Sequence, residues 1–233
     1  MKAMILAAGL GTRMKPLTDN KPKALIEVSG KTLLETVILN LKKYGFDEII
    51  INVHHFGNQI IDFLKQKDNF GIRIEISDET DQLLDTGGGL KKASRFFDDG
   101  KPFLVHNVDV ITDMDYGAMM KYHIDKKALV TLAVRKRESS RYLLFDKSMQ
   151  LCGWTNLKTG EVKISLEGRS TEKYAFSGIH IIEPEFFEFL GNEKKFYIID
   201  KYLQLAKTKV IKGYDHSSSF WLDVGKPENL RKL

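Results

Sequence analysis

The residues with the most chemistry to offer lie in the first two dozen positions. An apolar run from Ala3 to Ala8 breaks into Gly9-Leu10-Gly11-Thr12-Arg13-Met14-Lys15-Pro16-Leu17-Thr18, and Lys21-Pro22-Lys23-Ala24 follows. The run reads as a buried strand and the glycines as the turn that ends it. Gly9 and Gly11 let the backbone come close to a ligand and take φ angles that a side chain resists. Arg13, Lys15, Lys21 and Lys23 set positive charge beside the free main-chain N–H groups. Bare amides and cations at a strand tip suit a polyphosphate.

Two familiar phosphate loops do not fit. A dinucleotide fingerprint needs a glycine where Met14 stands and an acid closing the second strand. That strand, Glu48 to Val53, runs instead into His54 and His55, which argues against a nicotinamide-dependent oxidoreductase. Gly30-Lys31-Thr32 imitates the end of a P-loop, but Leu25 occupies the place of its leading glycine.

What remains resembles the sugar 1-phosphate nucleotidyltransferases, the NDP-sugar pyrophosphorylase family. Their N-terminal pattern is an apolar strand, then Gly-x-Gly-Thr-Arg-Met/Leu-x-Pro-Leu-Thr, then Pro-Lys-Ala/Pro a few residues on. Gly9, Gly11, Thr12, Arg13, Met14, Pro16, Leu17, Thr18, Pro22, Lys23 and Ala24 all fall in register with it. The resemblance implies a nucleoside triphosphate and a sugar 1-phosphate as substrates. It casts Arg13 and Lys23 as the catalytic cations and puts Ala8, Gly9, Gly11 and Thr12 on the nucleotide. A non-catalytic, nucleotide-sensing relative is the alternative. Such subunits typically lose the arginine, the lysine or an aspartate, and all are present here.

Two aspartates extend the resemblance. Asp109 follows the apolar stretch Phe103-Leu104-Val105-His106-Asn107-Val108, and Asp223 lies in Trp221-Leu222-Asp223-Val224-Gly225-Lys226-Pro227-Glu228. Taken singly, an aspartate more often caps a strand or a helix than holds a metal, and it is the motifs that reverse this reading. Both segments match family motifs, Asn-x-Asp and Trp-x-Asp-Val-Gly-x-Pro-Glu, whose aspartates hold Mg²⁺ against the nucleotide phosphates. Mg²⁺ accepts a few carboxylate oxygens and keeps water and phosphate as its other ligands, so two aspartates suffice. Many relatives carry Gly or Ser where Val108 stands, so a bulkier residue is expected beside the metal.

Asp85-Thr86-Gly87-Gly88-Gly89-Leu90 reads as an exposed glycine loop opening a helix. The resemblance makes Gly87 and Gly88 readers of the base through their backbone; Glu79 and Gln82 lie just upstream, within reach of a base edge, and neither is assigned. Asn107 and Gly178, the latter in Phe176-Ser177-Gly178-Ile179, are expected on the sugar, although Gly178 could equally mark a bulge or a packing contact. The Glu-Lys-Pro segment by which many relatives grip the sugar phosphate is missing between Leu151 and Ala175, and Glu172-Lys173-Tyr174 looks misplaced for it. That grip is left unassigned. The six histidines show no ligand spacing beyond His54-His55, which on a strand would face opposite ways, and all read as structural.

Composition sets wider bounds. The chain has 233 residues, 42% hydrophobic and 29% charged, as in an ordinary globular domain. The net charge of +5 is spread among 31 acids, so a solvated surface with a cationic phosphate pocket explains it better than nucleic-acid binding does. A single cysteine, Cys152, excludes an internal disulfide and a cysteine-rich metal site. No stretch approaches a membrane span of ~20 apolar residues, and a cleaved leader would sever the glycine loop, so a cytoplasmic protein is expected.

Elements alternate as strand and helix through the first half: Thr32–Tyr44 as a helix with a capping box, Glu48–Val53 a strand, Gln59–Lys67 a helix, Ile72–Ser77 a strand, Lys91–Phe97 a helix, Pro102–Val108 a strand, Asp115–Lys126 a helix and Ala128–Val134 a strand. Short segments at Tyr142–Phe145, Leu151–Trp154 and Val162–Leu166 read as antiparallel. Phe176–Ile182, Lys209–Tyr214 and Phe220–Val224 read as strands. Pro184–Leu190 and Ile198–Ala206 read as helices, and a last helix opens at Pro227 and stops abruptly at Leu233. The pattern predicts a Rossmann-like α/β/α fold, with a mixed, mainly parallel central sheet and a small antiparallel insertion. Residues 1–233 are read as a single nucleotidyltransferase catalytic domain without the β-helix domain of larger relatives. The compact subgroup with N-acetylmuramate 1-phosphate uridylyltransferases and mannose 1-phosphate or heptose guanylyltransferases is the better match, which favours UTP or GTP.

Overall fold

The computed structural model describes residues 1–225 and 227–230. Its sheet grows from apolar segments that the sequence presents as unbroken runs. Lys2–Leu6 pairs in parallel with Glu48–Val53 on one side and Phe103–Asn107 on the other, and Glu48–Val53 pairs in parallel with Arg73–Asp78. Successive side chains point to opposite faces, and both faces are covered. Met4, Ile50 and Val105 enter one core cluster, while Ala3, Ile5, Ile49, Ile51 and Leu104 enter another. Burial on both sides explains why these strands lack an apolar–polar alternation.

Beyond Phe103–Asn107 the sheet turns antiparallel. Glu172–Ile182 is the next neighbour and also pairs with Val130–Arg135 and with Arg141–Phe145. Ile211–Asp215 joins Val130–Arg135 in parallel; Leu151–Asn156 and Glu161–Ile164 extend the other branch as antiparallel strands. Helices Leu33–Lys43, Gly57–Gln66 and Tyr116–Asp125 cover one face, and Asp85–Lys92 and Ile198–Leu205 the other. The result is the expected three-layer arrangement around a mixed sheet.

Local chemistry sets several element ends. The Thr32 hydroxyl accepts from the Glu35 N–H at 3.1 Å and so caps the helix Leu33–Lys43. That helix stops at Gly45, whose φ of +78° and N–H bond to Lys42, with Phe46 N–H reaching back to Leu41, form a Schellman closure. The Asp115 carboxylate caps the helix Tyr116–Asp125 through the Ala118 N–H at 3.0 Å. Two expected helices differ. Pro184–Phe189 is a 3₁₀ helix, and the helix expected at Lys91–Phe97 begins earlier, at Asp85, and ends at Lys92 before a 3₁₀ turn at Ser94–Phe96. The closing helix spans Pro227–Leu230. Lys226 of the closing motif, and Leu233, lie outside the described residues.

A third, small cluster matters most for function. Buried Met14, Ile26, Leu33 and Val224 pack together, with Val28, Ile111 and Leu222 against them. These residues come from the glycine loop, the turn after Lys23, the first helix, and a two-stranded ribbon made by Val110–Thr112 and Trp221–Asp223. Apolar contacts thus tie together segments that carry charges at their neighbouring positions.

Candidate active site

The ribbon explains how Asp109 and Asp223, far apart in sequence, meet. Trp221 pairs with Thr112 and Asp223 with Val110, and the Val224 N–H donates to the Asp109 carbonyl at 2.8 Å. This register sets the two carboxylates side by side beyond the end of the Phe103–Asn107 strand. Gly225 then lies between them. A Cβ at Gly225 would stand 2.6 Å from Asp109 Oδ2, 2.8 Å from Asp223 Oδ1 and 3.5 Å from an Arg13 guanidinium nitrogen. The Gly225 N–H donates to Asp223 Oδ1 at 2.8 Å. Three charged side chains therefore converge on one point that only a glycine leaves open. The Lys23 ammonium donates to Asp109 Oδ2 in an ion pair whose side chains are 15% and 12% exposed.

Each cation is carried by a short turn. Gly11 has a φ of +66°, and its carbonyl accepts from the Thr18 hydroxyl at 2.9 Å, closing the loop. The 3₁₀ turn Thr12–Met14 follows, burying Met14 in the small cluster and leaving Thr12 and Arg13 exposed. Pro22 leads into a second 3₁₀ turn, Lys23–Leu25, with Ala24 buried. Gly9 has open space where a side chain would go. Ala8, beside Gly9, is tied down from below. Its N–H and that of Ala7 donate to Asn52 Oδ1, at 3.3 and 2.7 Å, which also ends the first strand at Leu6.

Asn52 is part of a buttress beneath the glycine loop. Its amide donates to Glu79 Oε1 at 2.7 Å, and the Leu84 N–H donates to Glu79 Oε2 at 3.0 Å. Glu79 is 1% exposed, so both its oxygens serve the scaffold and it is not placed at a base edge. Gln82 is exposed. The glycine triplet is likewise not an exposed loop. Gly87, Gly88 and Gly89 are buried in the first turns of the helix Asp85–Lys92. A Cβ on Gly87 would meet the Phe196 ring at 2.2 Å, one on Gly88 the Lys194 carbonyl oxygen at 2.1 Å, and one on Gly89 the Glu79 carboxylate at 2.6 Å. The glycines let the segment 194–196 and the buttress press directly onto the helix.

On the other side, Asn107 and Gly178 are neighbours. Gly178 has a φ of +78°, and a Cβ there would lie 2.8 Å from Asn107 Nδ2. The pairing of Glu172–Ile182 with Val130–Arg135 shifts register between Phe176 and His180, so Gly178 sits in a bulge as well as against Asn107. Val108 does not crowd the carboxylates: it is 2% exposed and packs in the core cluster with Met114 and Tyr116. Lys173 is exposed, and its neighbour Glu172 pairs with Lys136 on the surface.

The chain matches the nucleotidyl transferase family over residues 2–233. It belongs to that family. The N-acetylmuramate alpha-1-phosphate uridylyltransferase of Caulobacter vibrioides is 33% identical, the alignment covering 97% of this chain and 92% of the relative. The enzyme of the same name from Neisseria meningitidis is 34% identical, with coverage of 97% and 93%. Among solved structures, HddC from Yersinia pseudotuberculosis complexed with GMP-PN superposes with a TM-score of 0.80 at 24% identity. It covers 99% of this chain and 96% of its own, a likeness of fold.

As expected, this nucleotidyl transferase keeps its histidines out of the charged cluster. Burial pushes His106, His123 and His216 down to about 4 and His180 to about 3, so all four are neutral near pH 7. His106 pairs with the Tyr116 hydroxyl, His180 with the Tyr202 hydroxyl and His216 with the Ser177 hydroxyl. The second strand stops at Val53, so His54 and His55 lie in a loop, where the His54 ring contacts the Glu79 carbonyl at 2.7 Å. Gly225 and Asn52 are the residues that sequence reasoning missed. The first was visible as the glycine two places after Asp223; the second had no signal, being one polar residue inside an apolar strand. Among the described residues no helix is long and apolar enough to cross a membrane.

Proposed function

We propose that this chain transfers a nucleotidyl group from a nucleoside triphosphate to a sugar 1-phosphate, giving an NDP-sugar and pyrophosphate. The observation that carries the proposal is the meeting of Asp109, Asp223, Arg13 and, through Asp109, Lys23 around Gly225. A sugar phosphate oxygen attacks the α-phosphorus, and the bond to pyrophosphate breaks with its electron pair leaving on the bridging oxygen. The attacking phosphate is already an anion at neutral pH, so no protein nucleophile or general base is required. The chain's work is to hold two mutually repelling anions in line and to meet the charge that develops on the leaving group. Arg13 and the main chain at Gly9, Gly11 and Thr12 are suited to the departing phosphates, and Lys23 to the reacting one.

The two carboxylates fit a magnesium ion. Their oxygens face one point across the Gly225 cradle, and no cluster of three or more acidic, histidine or cysteine ligands occurs among the described residues. A site with two protein carboxylates suits a cation that keeps water and phosphate as its other ligands. When bound on Asp109 and Asp223, the ion supplies charge neutralisation to the phosphates.

Similarity to the two uridylyltransferases favours UTP and N-acetylmuramate 1-phosphate as the first pair to test. GTP stands next, since HddC was solved with a guanine nucleotide analogue. The reduced state open to Cys152 and the need for nucleoside triphosphates favour the cytoplasm as the place of work. A panel of triphosphates against sugar 1-phosphates, read by pyrophosphate release with and without Mg²⁺, tests the reaction. Release with no pair in the panel would overturn it.

A further inference from the structure

One pair of cations is not absorbed by this mechanism. The guanidinium carbons of Arg135 and Arg137 lie 5.6 and 4.5 Å from the centre of the Trp221 ring. Trp221 is two residues before Asp223 on the ribbon, and its indole N–H donates to the Ser177 carbonyl at 2.9 Å, next to Gly178. Arg137 donates to the carbonyls of Phe176 and Glu138, at 3.2 and 3.1 Å, and Arg135 to that of Ser217 at 3.4 Å. The two cations are thus packed on the ring that ties Ser177, the neighbour of Gly178, to the ribbon carrying Asp223.

This packing is costly as it stands. Neither guanidinium has a carboxylate partner among the described ion pairs, and three of their nitrogens, Arg135 Nε and Nη1 and Arg137 Nε, are buried without a hydrogen-bond acceptor. Burial, with the like charge of Arg135, lowers the pKa of Arg137, while Asp223 acts in the opposite direction. A buried donor left unmatched is unfavourable, and so are two neighbouring cations with no carboxylate in an ion pair with either. Arginine presents a rigid fork of donors that matches carboxylate and phosphate oxygens, and a Trp ring is a good platform for it. The terminal nitrogens that each make one carbonyl bond, Arg135 Nη2 and Arg137 Nη1 and Nη2, carry a second N–H with which the fork can meet an anion.

We propose that Arg135 and Arg137, held on Trp221, are the grip for an anionic group of the sugar substrate. The inference rests on the proposed reaction and fills the role that the missing Glu-Lys-Pro segment leaves open. The anion is either the phosphate on the anomeric carbon or a carboxylate carried elsewhere on the sugar; both offer paired oxygens to the same fork.

Arg135→Met and Arg137→Met, compared with the unaltered enzyme, test it. Isothermal titration with glucose 1-phosphate and with N-acetylmuramate 1-phosphate reads the pocket directly, and KM for each substrate reads it in turnover. Each variant is expected to bind the sugar phosphate at least about tenfold more weakly, since charge-assisted bonds are the strong ones. KM for the triphosphate should stay within twofold and the melting temperature should hold or rise. Loss with both sugars assigns the phosphate; loss with N-acetylmuramate 1-phosphate alone assigns the carboxylate. Unchanged affinity for both sugars in both variants overturns the proposal, as does a fall in melting temperature with affinity intact. Because binding is measured apart from turnover, an enzyme that binds the sugar phosphate through this pair but releases no pyrophosphate would sink the proposed reaction and leave the grip standing.

Discussion

Gly225→Ala is the sharpest probe of the charged cluster. The backbone at Gly225 does not have a positive φ, so alanine meets no conformational barrier there. The obstacle is the added methyl, 2.6 Å from Asp109 Oδ2 and 2.8 Å from Asp223 Oδ1, where ordinary contact begins at 3.4 Å. To restore contact the Asp109 oxygen must retreat by about 0.8 Å and the Asp223 oxygen by about 0.6 Å, both away from the point on which they converge. A misplacement of about 1 Å in a positioned site can cost on the order of a hundredfold in rate. Removing a glycine also reduces the freedom of the unfolded chain, worth about 0.4–1 kcal/mol of stability, which offsets part of the crowding. The expected variant therefore melts within a few degrees of the parent but turns over about a hundredfold more slowly, with a raised requirement for Mg²⁺. Gly191→Ala, at a glycine with open space and no positive φ, is the control. Pyrophosphate release across a Mg²⁺ titration, beside a thermal melt, gives both numbers. If Gly225→Ala worked within threefold of the parent at every Mg²⁺ concentration, the cradle would not be where phosphate and metal chemistry happens.

Asp109→Asn and Asp223→Asn should fold yet lose turnover, since a neutral amide is a poor Mg²⁺ ligand; Lys23→Ala and Arg13→Ala should each slow single-turnover release about a hundred- to thousandfold. Parent-like rates in any of these remove that residue from the site. Gly88→Val should be unstable, because its Cβ would press on the Lys194 carbonyl oxygen; about 3 kcal/mol of lost stability is expected, and a melt matching the parent would contradict the packing. Met14→Ala, emptying the small cluster, should cost about 2–5 kcal/mol in a denaturant titration. Buried His106, His123 and His216 have folded pKa values near 4, below the ordinary 6.5. The unfolded chain then binds more protons, so stability should be full above pH 6.5 and fall as pH drops toward 4, by up to about 3 kcal/mol per histidine. A flat denaturation midpoint between pH 7 and 4.5 would show that these imidazoles are not held neutral.

Much of the fold was legible because the parallel strands are buried on both faces. Nothing but an unbroken apolar run satisfies that, and Glu48–Val53 begins and ends where the pattern says. The Thr32 cap was legible because it is a contact between residues three apart. Arg13, Lys23, Asp109 and Asp223 were nameable as types in motifs, and the resemblance implied that the two aspartates share an ion; the means of their meeting was not legible, since it depends on a ribbon between segments 108–113 and 220–224 and on a small core shared by four stretches of chain. The glycine triplet shows the other limit. In sequence Gly87-Gly88-Gly89 looks like a flexible loop, as glycine is a poor helix former. In the folded protein the lack of side chains is what lets Phe196, the Lys194 carbonyl and Glu79 approach a helix, and that gain belongs to residues distant in the chain. The same holds for Arg135 and Arg137, which pass as surface cations until Trp221 is folded against them. The sequence by itself determined which local elements form and which chemical groups the site could use, because those follow from neighbours within a turn or a strand. Only the tertiary structure decided which of those groups face one another, because that is set by long-range register and by packing that no local pattern encodes.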